Sequence, residues 1–245
     1  MRVVAIVQAR MGSSRLSGKV LAVIQGDTML ARVVGRLRAA TRIDDVVIAT
    51  SLRSDDDAVV HEAGRLGAGV HRGSESDVLD RFLGAARAYR ADAIVRVTSD
   101  CPLVDPGVID RVVAALGRDV DYASNTHVRT FPRGLECEAF HRDTLERIAR
   151  IATSAPAREH VTAYLMERPE LFQTRQVVAD DDCSDLRWTV DTIEDLTVVR
   201  ALYAAIAEHG SMTMPYRQLV DLARARPELA AVNAHIVQKP WNHVA

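Results

Sequence analysis

Cysteine is scarce: Cys101, Cys137 and Cys183 are odd in number and widely spaced, with no CxxC pair, which excludes a disulfide framework or a zinc knuckle. Free buried thiols are expected. Long hydrophobic runs are missing too. The longest early one, Val3 to Val7, is shorter than a signal-peptide core and lies between Arg2 and Arg10, and no stretch approaches membrane-span length. A cytoplasmic protein without membrane contact is expected. Charge of one sign is equally scarce, since 31 Lys+Arg face 33 Asp+Glu for a net of -2, and a surface built as a whole for nucleic acid is thereby excluded. No repeat, low-complexity tract or linker interrupts the chain. With 48% apolar and 26% charged residues, its 245 residues suit one elaborated folded domain spanning 1–245.

What is present is alternation. Short apolar runs at Val3 to Val7, Val46 to Ala49 and Ala93 to Val97 are each followed by helical spacing. The stripes are Met29, Val33, Val34 and Leu37; Ala58, Val59, Ala63 and Leu66; and Ile109, Val112, Val113 and Leu116. A further stripe, Val78, Phe82, Ala85, Ala86 and Tyr89, precedes the third strand. This is the pattern of a parallel sheet covered by helices, an α/β fold. Asp105 and Pro106 suit a helix N-cap and first turn. Pro132 and Gly134 interrupt β-prone residues, so 121–140 reads as a hairpin excursion. Helical patterns return at Leu145 to Ile151 and His160 to Glu167. Leu186 to Val190 reads as a late strand leading into a helix whose capping box is Thr192 and Asp195, with Gly210 as its stop.

The loop after the first strand, QARMGSSRLSGKVL from Gln8 to Leu21, sets Arg10, Arg15 and Lys19 beside Gly12, Ser13, Ser14 and Gly18. Glycines let backbone N–H groups approach an anion, hydroxyls add donors, and the cations can neutralise a polyphosphate. Residues 1–42 carry eight Lys/Arg against one acid, Asp27, so the basic excess lies here. Spacing excludes a Walker loop, because five residues separate Gly12 from Gly18 and Val20 follows Lys19; GxGxxG is absent as well.

A polyphosphate held for chemistry usually brings Mg²⁺, which takes a few carboxylates plus phosphate oxygens and water. Asp100, in RVTSDCPLVDP, and Asp191, in RWTVDTIEDL, follow predicted strands at the edge where the loop lies. The acidic runs Asp55 to Asp57 and Asp180 to Asp182 read as solvated turns. No histidine or cysteine cluster has zinc spacing.

In chain order, QARMGSSRLSGKVL, RVTSDCPLVDP, FPRGLECEAF, EHVT and RWTVDT resemble segments of the cytidylyltransferases that activate sugar acids. These include the CMP-sialic acid and CMP-Kdo synthetases, and the resemblance is greater to the spore-coat polysaccharide, SpsF-like branch. The resemblance implies a nucleotide-diphospho-sugar transferase type sandwich with a mixed, mostly parallel central sheet. It implies transfer of CMP from CTP to an acidic acceptor, a sugar acid or phosphonate-type metabolite, with release of pyrophosphate. By it, Arg10, Arg15 and Lys19 hold the triphosphate, Arg15 and Lys19 being catalytic, while Ala9, Met11, Gly12, Ser13, Ser14 and Asp100 complete the nucleotide contact. Asp100 and Asp191 hold Mg²⁺, Arg72 lies near the nucleoside, and Arg133, Glu136 and His160 face the acceptor. The excursion at 121–140 becomes a dimerisation and acceptor element, hence a homodimer. Ser17 stands where the family pattern has Pro, and Ser99 where the Kdo-type motif has Gly. A metal-dependent glycosyltransferase of similar fold and a non-catalytic nucleotide-binding module are the alternatives.

Overall fold

A computed structural model describes residues 1–13 and 15–238. β1 (Val3–Gln8) is a continuous apolar strand because both its faces are covered. Val3, Ala5 and Val7 enter one hydrophobic layer; Val4 and Ile6 enter the other. Then come β2 (Val23–Ile24), β3 (Asp27–Thr28), α1 (Met29–Arg38), β4 (Asp45–Ser51), α2 (Asp57–Arg65), β5 (Gly69–Gly73), α3 (Val78–Ala88), β6 (Ala93–Thr98) and α4 (Pro106–Ala115). The second half holds β7 (Tyr122–Ser124), β8 (Glu138–His141), α5 (Arg142–Ile151), α6 (Ala155–Glu159), α7 (Ala163–Glu167), β9 (Thr174–Gln176), α8 (Ile193–Glu208), α9 (Tyr216–Arg224) and α10 (Pro227–Asn233).

Seven strands form one sheet in the order β5-β4-β1-β6-β8-β7-β9. The first four are parallel, β8 is antiparallel to both β6 and β7, and β9 is parallel to β7. This is the mixed, mostly parallel α/β sheet that the sequence leads one to expect. Residues of α1, α2, α4, α8 and α9 fill the layer on one face, and those of α3, α5, α6 and α7 the other. The carboxyl ends of β1, β4, β5 and β6 therefore share one edge, where crossover loops open and ligands of such sheets bind. Among the described residues no helix is long and apolar enough to cross a membrane.

The local signals behave as their chemistry requires. The Asp105 carboxylate accepts from Val108 N–H at the start of α4, and Thr192 with Asp195 forms the reciprocal capping box of α8. The excursion is a pairing of β7 with β8, Tyr122 opposite Phe140 and Ser124 opposite Glu138, inside the main sheet. One reading is corrected: Leu186 to Val190 is not a strand. Its one ladder contact is a bridge from Arg187 to Arg133, because its N–H groups are used across the sheet end instead. Trp188 and Thr189 both donate to the Arg133 carbonyl, and Val190 donates to that of Asp100 at 2.8 Å.

Candidate active site

The loop after β1 is tied down by backbone chemistry before any ligand arrives. Ala9 N–H donates to the Ala49 carbonyl, Gly18 N–H to the Met11 carbonyl at 3.0 Å, and Met11 N–H to the Asp56 carboxylate at 2.7 Å. The Ser13 hydroxyl accepts from Leu16 N–H at 3.4 Å. Gly18 holds φ +66°, the left-handed conformation that lets the loop reverse into a short 3-10 turn, Lys19–Leu21. A side chain built at Gly12 would meet nothing within 4 Å, so the backbone there faces open space. Ser14 lies outside the described residues.

That reversal delivers Lys19 to the aspartates. Its ammonium donates to Asp100 Oδ2 at 3.1 Å, Asp191 Oδ1 at 2.9 Å and the Val190 carbonyl at 2.7 Å. Two carboxylate oxygens that share one nitrogen at these lengths are at most about 6 Å apart. Arg15 Nη2 takes the other oxygen of Asp191 at 2.9 Å. Positions 15, 19, 100 and 191 thus meet at one point. Burial alone would raise the Asp100 pKa, but the Lys19 charge and the Thr98 hydroxyl outweigh it and hold the carboxyl below its ordinary value. Burial likewise opposes the Lys19 charge, and the two aspartates overcome it, so its pKa is raised.

A second shell of charge supports the first. Arg187, 9% exposed, reaches Asp191 Oδ2 at 3.1 Å and grips both oxygens of Asp195 at 2.8 and 3.0 Å. Asp195, fully buried, also accepts from the backbone N–H groups of Asp191 and Thr192 and from Asn233 Nδ2 at 2.9 Å. The capping box of α8 therefore fixes Asp191 as well as starting the helix. Residue type and spacing mark Asp195 only as a helix cap and do not single out Arg187. The capping motif is the signal that leads to both, since its acid lies one helical turn after Asp191.

The remaining candidates fall into two groups. Arg10 Nη1 bonds the Glu75 carbonyl at 3.3 Å, and Arg72 is spent on the Ser51 and Arg53 carbonyls and on Asp57. Both line the β4–β5 side of the loop. The Asp55 to Asp57 run is not all solvated, as its charges suggested. Asp56 is 2% exposed, binds Met11 N–H and is bonded by the Ser51 hydroxyl and N–H, so it anchors the loop after β1. The basic excess of residues 1–42 is also partly structural: buried Arg36 donates to the Val104, Met212 and Met214 carbonyls.

On the opposite side, Glu136 accepts from Gly134 N–H at 2.6 Å and Arg129 at 2.7 Å, with Arg133 Nη1 at 4.0 Å. His160 sits apart from this group. Burial, against Glu159 and with help from the Arg96 charge, lowers its pKa, so its charged neighbours are Glu159 and Arg96. A surface depression of about 370 Å³ lined by Asp80, Arg87, Glu146 and Arg158 shares no residue with the carboxylate cluster.

Known proteins of similar sequence and fold identify the family. Residues 4–223 match the family model of the cytidylyltransferases. The spore coat polysaccharide biosynthesis protein SpsF of Bacillus subtilis is 34% identical over 92% of this chain and 95% of its own length. A cytidylyltransferase structure from Leptospira borgpetersenii superposes with a TM-score of 0.89 at 32% identity, covering 98% of this chain and all of that one. At 21% identity and a TM-score of 0.63, over 84% of this chain and 99% of the other, the CTP complex of CMP:2-keto-3-deoxy-manno-octonic acid synthetase shares the fold. The match over residues 4–223, which spans nearly every element of this sheet and its helices, together with a 34% identical relative covered almost end to end, places the chain in the cytidylyltransferase family.

Proposed function

We propose that this cytidylyltransferase moves CMP from CTP to an acidic small-molecule acceptor. An acceptor oxygen attacks the α-phosphorus, the bond from that phosphorus to the oxygen bridging the β-phosphate breaks, pyrophosphate leaves, and the hydroxyl proton passes to solvent. The observation that carries this reading is the meeting of Lys19 and Arg15 with Asp100 and Asp191 beside a glycine-containing loop. Arg15 and Lys19 neutralise the charge that builds on the leaving pyrophosphate, and such contacts aimed at developing charge supply most of the rate in transfers of this kind. Arg10 adds a third cation on the loop. The open backbone at Gly12 and the Ser13 hydroxyl complete the cradle, with Arg72 on the nucleoside side and Arg133, Glu136 and His160 toward the acceptor.

The residues present fit a divalent ion. Asp100 and Asp191 already share one cation, the Lys19 ammonium. Among the described residues no group of three or more His, Cys, Asp or Glu could cage a metal. Mg²⁺ suits such a site because it binds through one or two carboxylates and takes its other ligands from phosphate and water. When bound, the ion supplies charge neutralisation on the phosphates. A homodimer paired through the β7–β8 region completes the reading.

The test is a pyrophosphate-release assay. Four nucleoside triphosphates are each offered with 2-keto-3-deoxy-manno-octonic acid, other sugar acids and phosphonates, with and without Mg²⁺. CTP with one acidic partner and Mg²⁺ is expected to turn over. Release of a nucleoside diphosphate from a sugar nucleotide, with no pyrophosphate from CTP, would overturn the proposal.

A further inference from the structure

Arg133 faces Glu136, and Glu136 is itself held by Gly134 and Arg129. A half-buried cation with one edge unpaired among the described residues lies elsewhere, on β6. Arg96 points to the α3 face of the sheet, as Ile94 does, and its cross-strand partner in β8 is Glu138. Glu138, 6% exposed, takes Arg96 Nη1 and accepts at 2.6 Å from both the Tyr122 and Thr162 hydroxyls. Tyr122 from β7 and Thr162 from the turn before α7 thus fix Glu138 of β8, which in turn holds the Arg96 guanidinium in place.

Its other edge differs. Arg96 Nε is shielded from solvent and has no partner among the described residues, while the side chain as a whole keeps 16% of its surface. A buried N–H without an acceptor is uncommon and asks for an explanation. With Nη1 engaged, Nε and Nη2 form the guanidinium's second two-donor edge, the fork that grips a carboxylate through two parallel bonds. The location suits substrate. Thr98, two residues on and on the same face, donates to Asp100 Oδ1, so Arg96 lies beneath the edge where Lys19 meets Asp100 and Asp191. His160 is near enough for the Arg96 charge to act on it, and the next residue, buried Val161, holds φ +55°, a left-handed conformation that a β-branched residue adopts only under constraint.

We propose that the Nε/Nη2 edge of Arg96 reads a carboxylate of the acceptor and makes Arg96 a specificity-determining residue; this rests on the transfer reading above. The charge count selects the anion. Arg96 shares its one positive charge with Glu138, so a dianionic phosphonate would leave more uncompensated negative charge beside Glu138 and Asp100 than a carboxylate does.

The experiment compares the wild type with Arg96→Lys, Arg96→Met and the double variant Arg96→Met/Glu138→Gln. The double variant leaves no uncompensated buried carboxylate, so it separates recognition from folding. Each is given 2-keto-3-deoxy-manno-octonic acid, its carboxamide and a matched phosphonate. A site whose donors are left unpaired by the wrong ligand rejects it strongly, so the wild type should prefer acid over carboxamide by at least about 100-fold. The preference should fall below about fivefold in both Met variants, with partial rescue by Lys and an unchanged KM for CTP. In ¹⁵N-arginine-labelled wild type, the Arg96 Nε signal should move with the acid and stay still with the carboxamide. A folded double variant that discriminates like the wild type, an Nε signal indifferent to the acid, or preference for the phosphonate would each overturn the assignment. If the wild type releases no pyrophosphate while its Nε signal still answers the acid alone, the transfer reading falls and the carboxylate fork stands.

Discussion

Replacing Lys19 by Met removes an ammonium and leaves a chain of similar length. Its nitrogen makes two ion pairs and one bond to a carbonyl, its side chain is 12% exposed, and that of Asp191 is 8% exposed. Asp191 would keep Arg15 and Arg187, but Asp100 would keep only the Thr98 hydroxyl among these partners. Breaking a buried pair from one side costs about 3–5 kcal/mol; with two cations still on Asp191, a loss near about 3 kcal/mol is expected. For a chain of this size that is a fall in Tm of roughly 6–12 °C. The same lysine stands where a divalent ion would bind, so a metal entering the wild type must displace it. Mn²⁺ alone, without nucleotide, should therefore raise the Tm of Lys19→Met by more than it raises that of the wild type, and titration calorimetry should show tighter Mn²⁺ binding by about tenfold. Turnover should nevertheless fall by about 10²–10³, the loss seen when one preorganised donor to developing charge is removed. Thermal melts with and without Mn²⁺, beside pyrophosphate release, are the assay. Equal Mn²⁺ stabilisation in the two proteins, together with near-normal turnover, would refute both the displacement and the catalytic role.

Other perturbations follow from the same contacts. Asp195→Asn keeps the shape but removes the charge that holds Arg187, and should cost about 3 kcal/mol in urea denaturation while lowering activity at a distance from any substrate contact. Gly134→Ala should be worse than its size suggests. Gly134 holds φ +106°, and a Cβ there would lie 2.5 Å from Thr189 N, so the segment carrying Asp191 must shift; a stability loss above about 1 kcal/mol and reduced turnover are expected. Acid should destabilise the fold in a defined window. Asp56, Asp100, Glu138 and Asp195 all have lowered pKa values in the folded state, so their contribution is present above their unfolded values near 3.8 to 4.5 and is lost as pH falls toward the folded ones. Lys19, raised above 10.5, contributes below that pH and loses its share as pH climbs past it. Denaturant midpoints should thus fall most steeply below about pH 4; a shallower decline beginning near pH 6 would come from His71 and His160, whose lowered pKa values make protonation unfavourable in the fold.

The strands legible in the sequence were those buried on both faces. β1, β4 and β6 are mostly buried runs dominated by Val, Ile and Ala, and hydrophobicity announces them. β5 was not legible: Gly69 and Gly73 bound it, and each of its five residues is half-buried, so no period of two survives. Leu186 to Val190 misled because it is buried like a strand while its N–H groups serve Arg133 and Asp100 instead of a ladder. At the site, Arg15, Lys19, Asp100 and Asp191 could be picked out because cations, glycines and acids that follow buried apolar runs have meanings that position alone conveys. Asp56 and Glu138 could not. An acid in a run of three, or one between Cys137 and Ala139, looks solvated or incidental until the fold shows that Met11 N–H and Arg96 are aimed at it.

The charges at the centre make a further point. Lys19, Arg15 and Arg187 interlock with Asp100, Asp191 and Asp195, three formal positive charges against three negative ones. Before a nucleotide arrives, the pocket is not a basic patch but a neutral lattice whose cations are already engaged. A triphosphate entering alone would have to draw Lys19 and Arg15 away and leave two aspartates uncompensated in a poorly solvated place, which is costly. Entering with a divalent ion, it brings the charge those carboxylates need and frees the two side chains for phosphate. CTP should therefore bind at least about tenfold more weakly in EDTA than with Mg²⁺ or the less reactive Ca²⁺, one such factor being only 1.4 kcal/mol. Equal affinity in EDTA would mean that the loop cations never depend on the aspartates, and the lattice would then be a feature of folding alone.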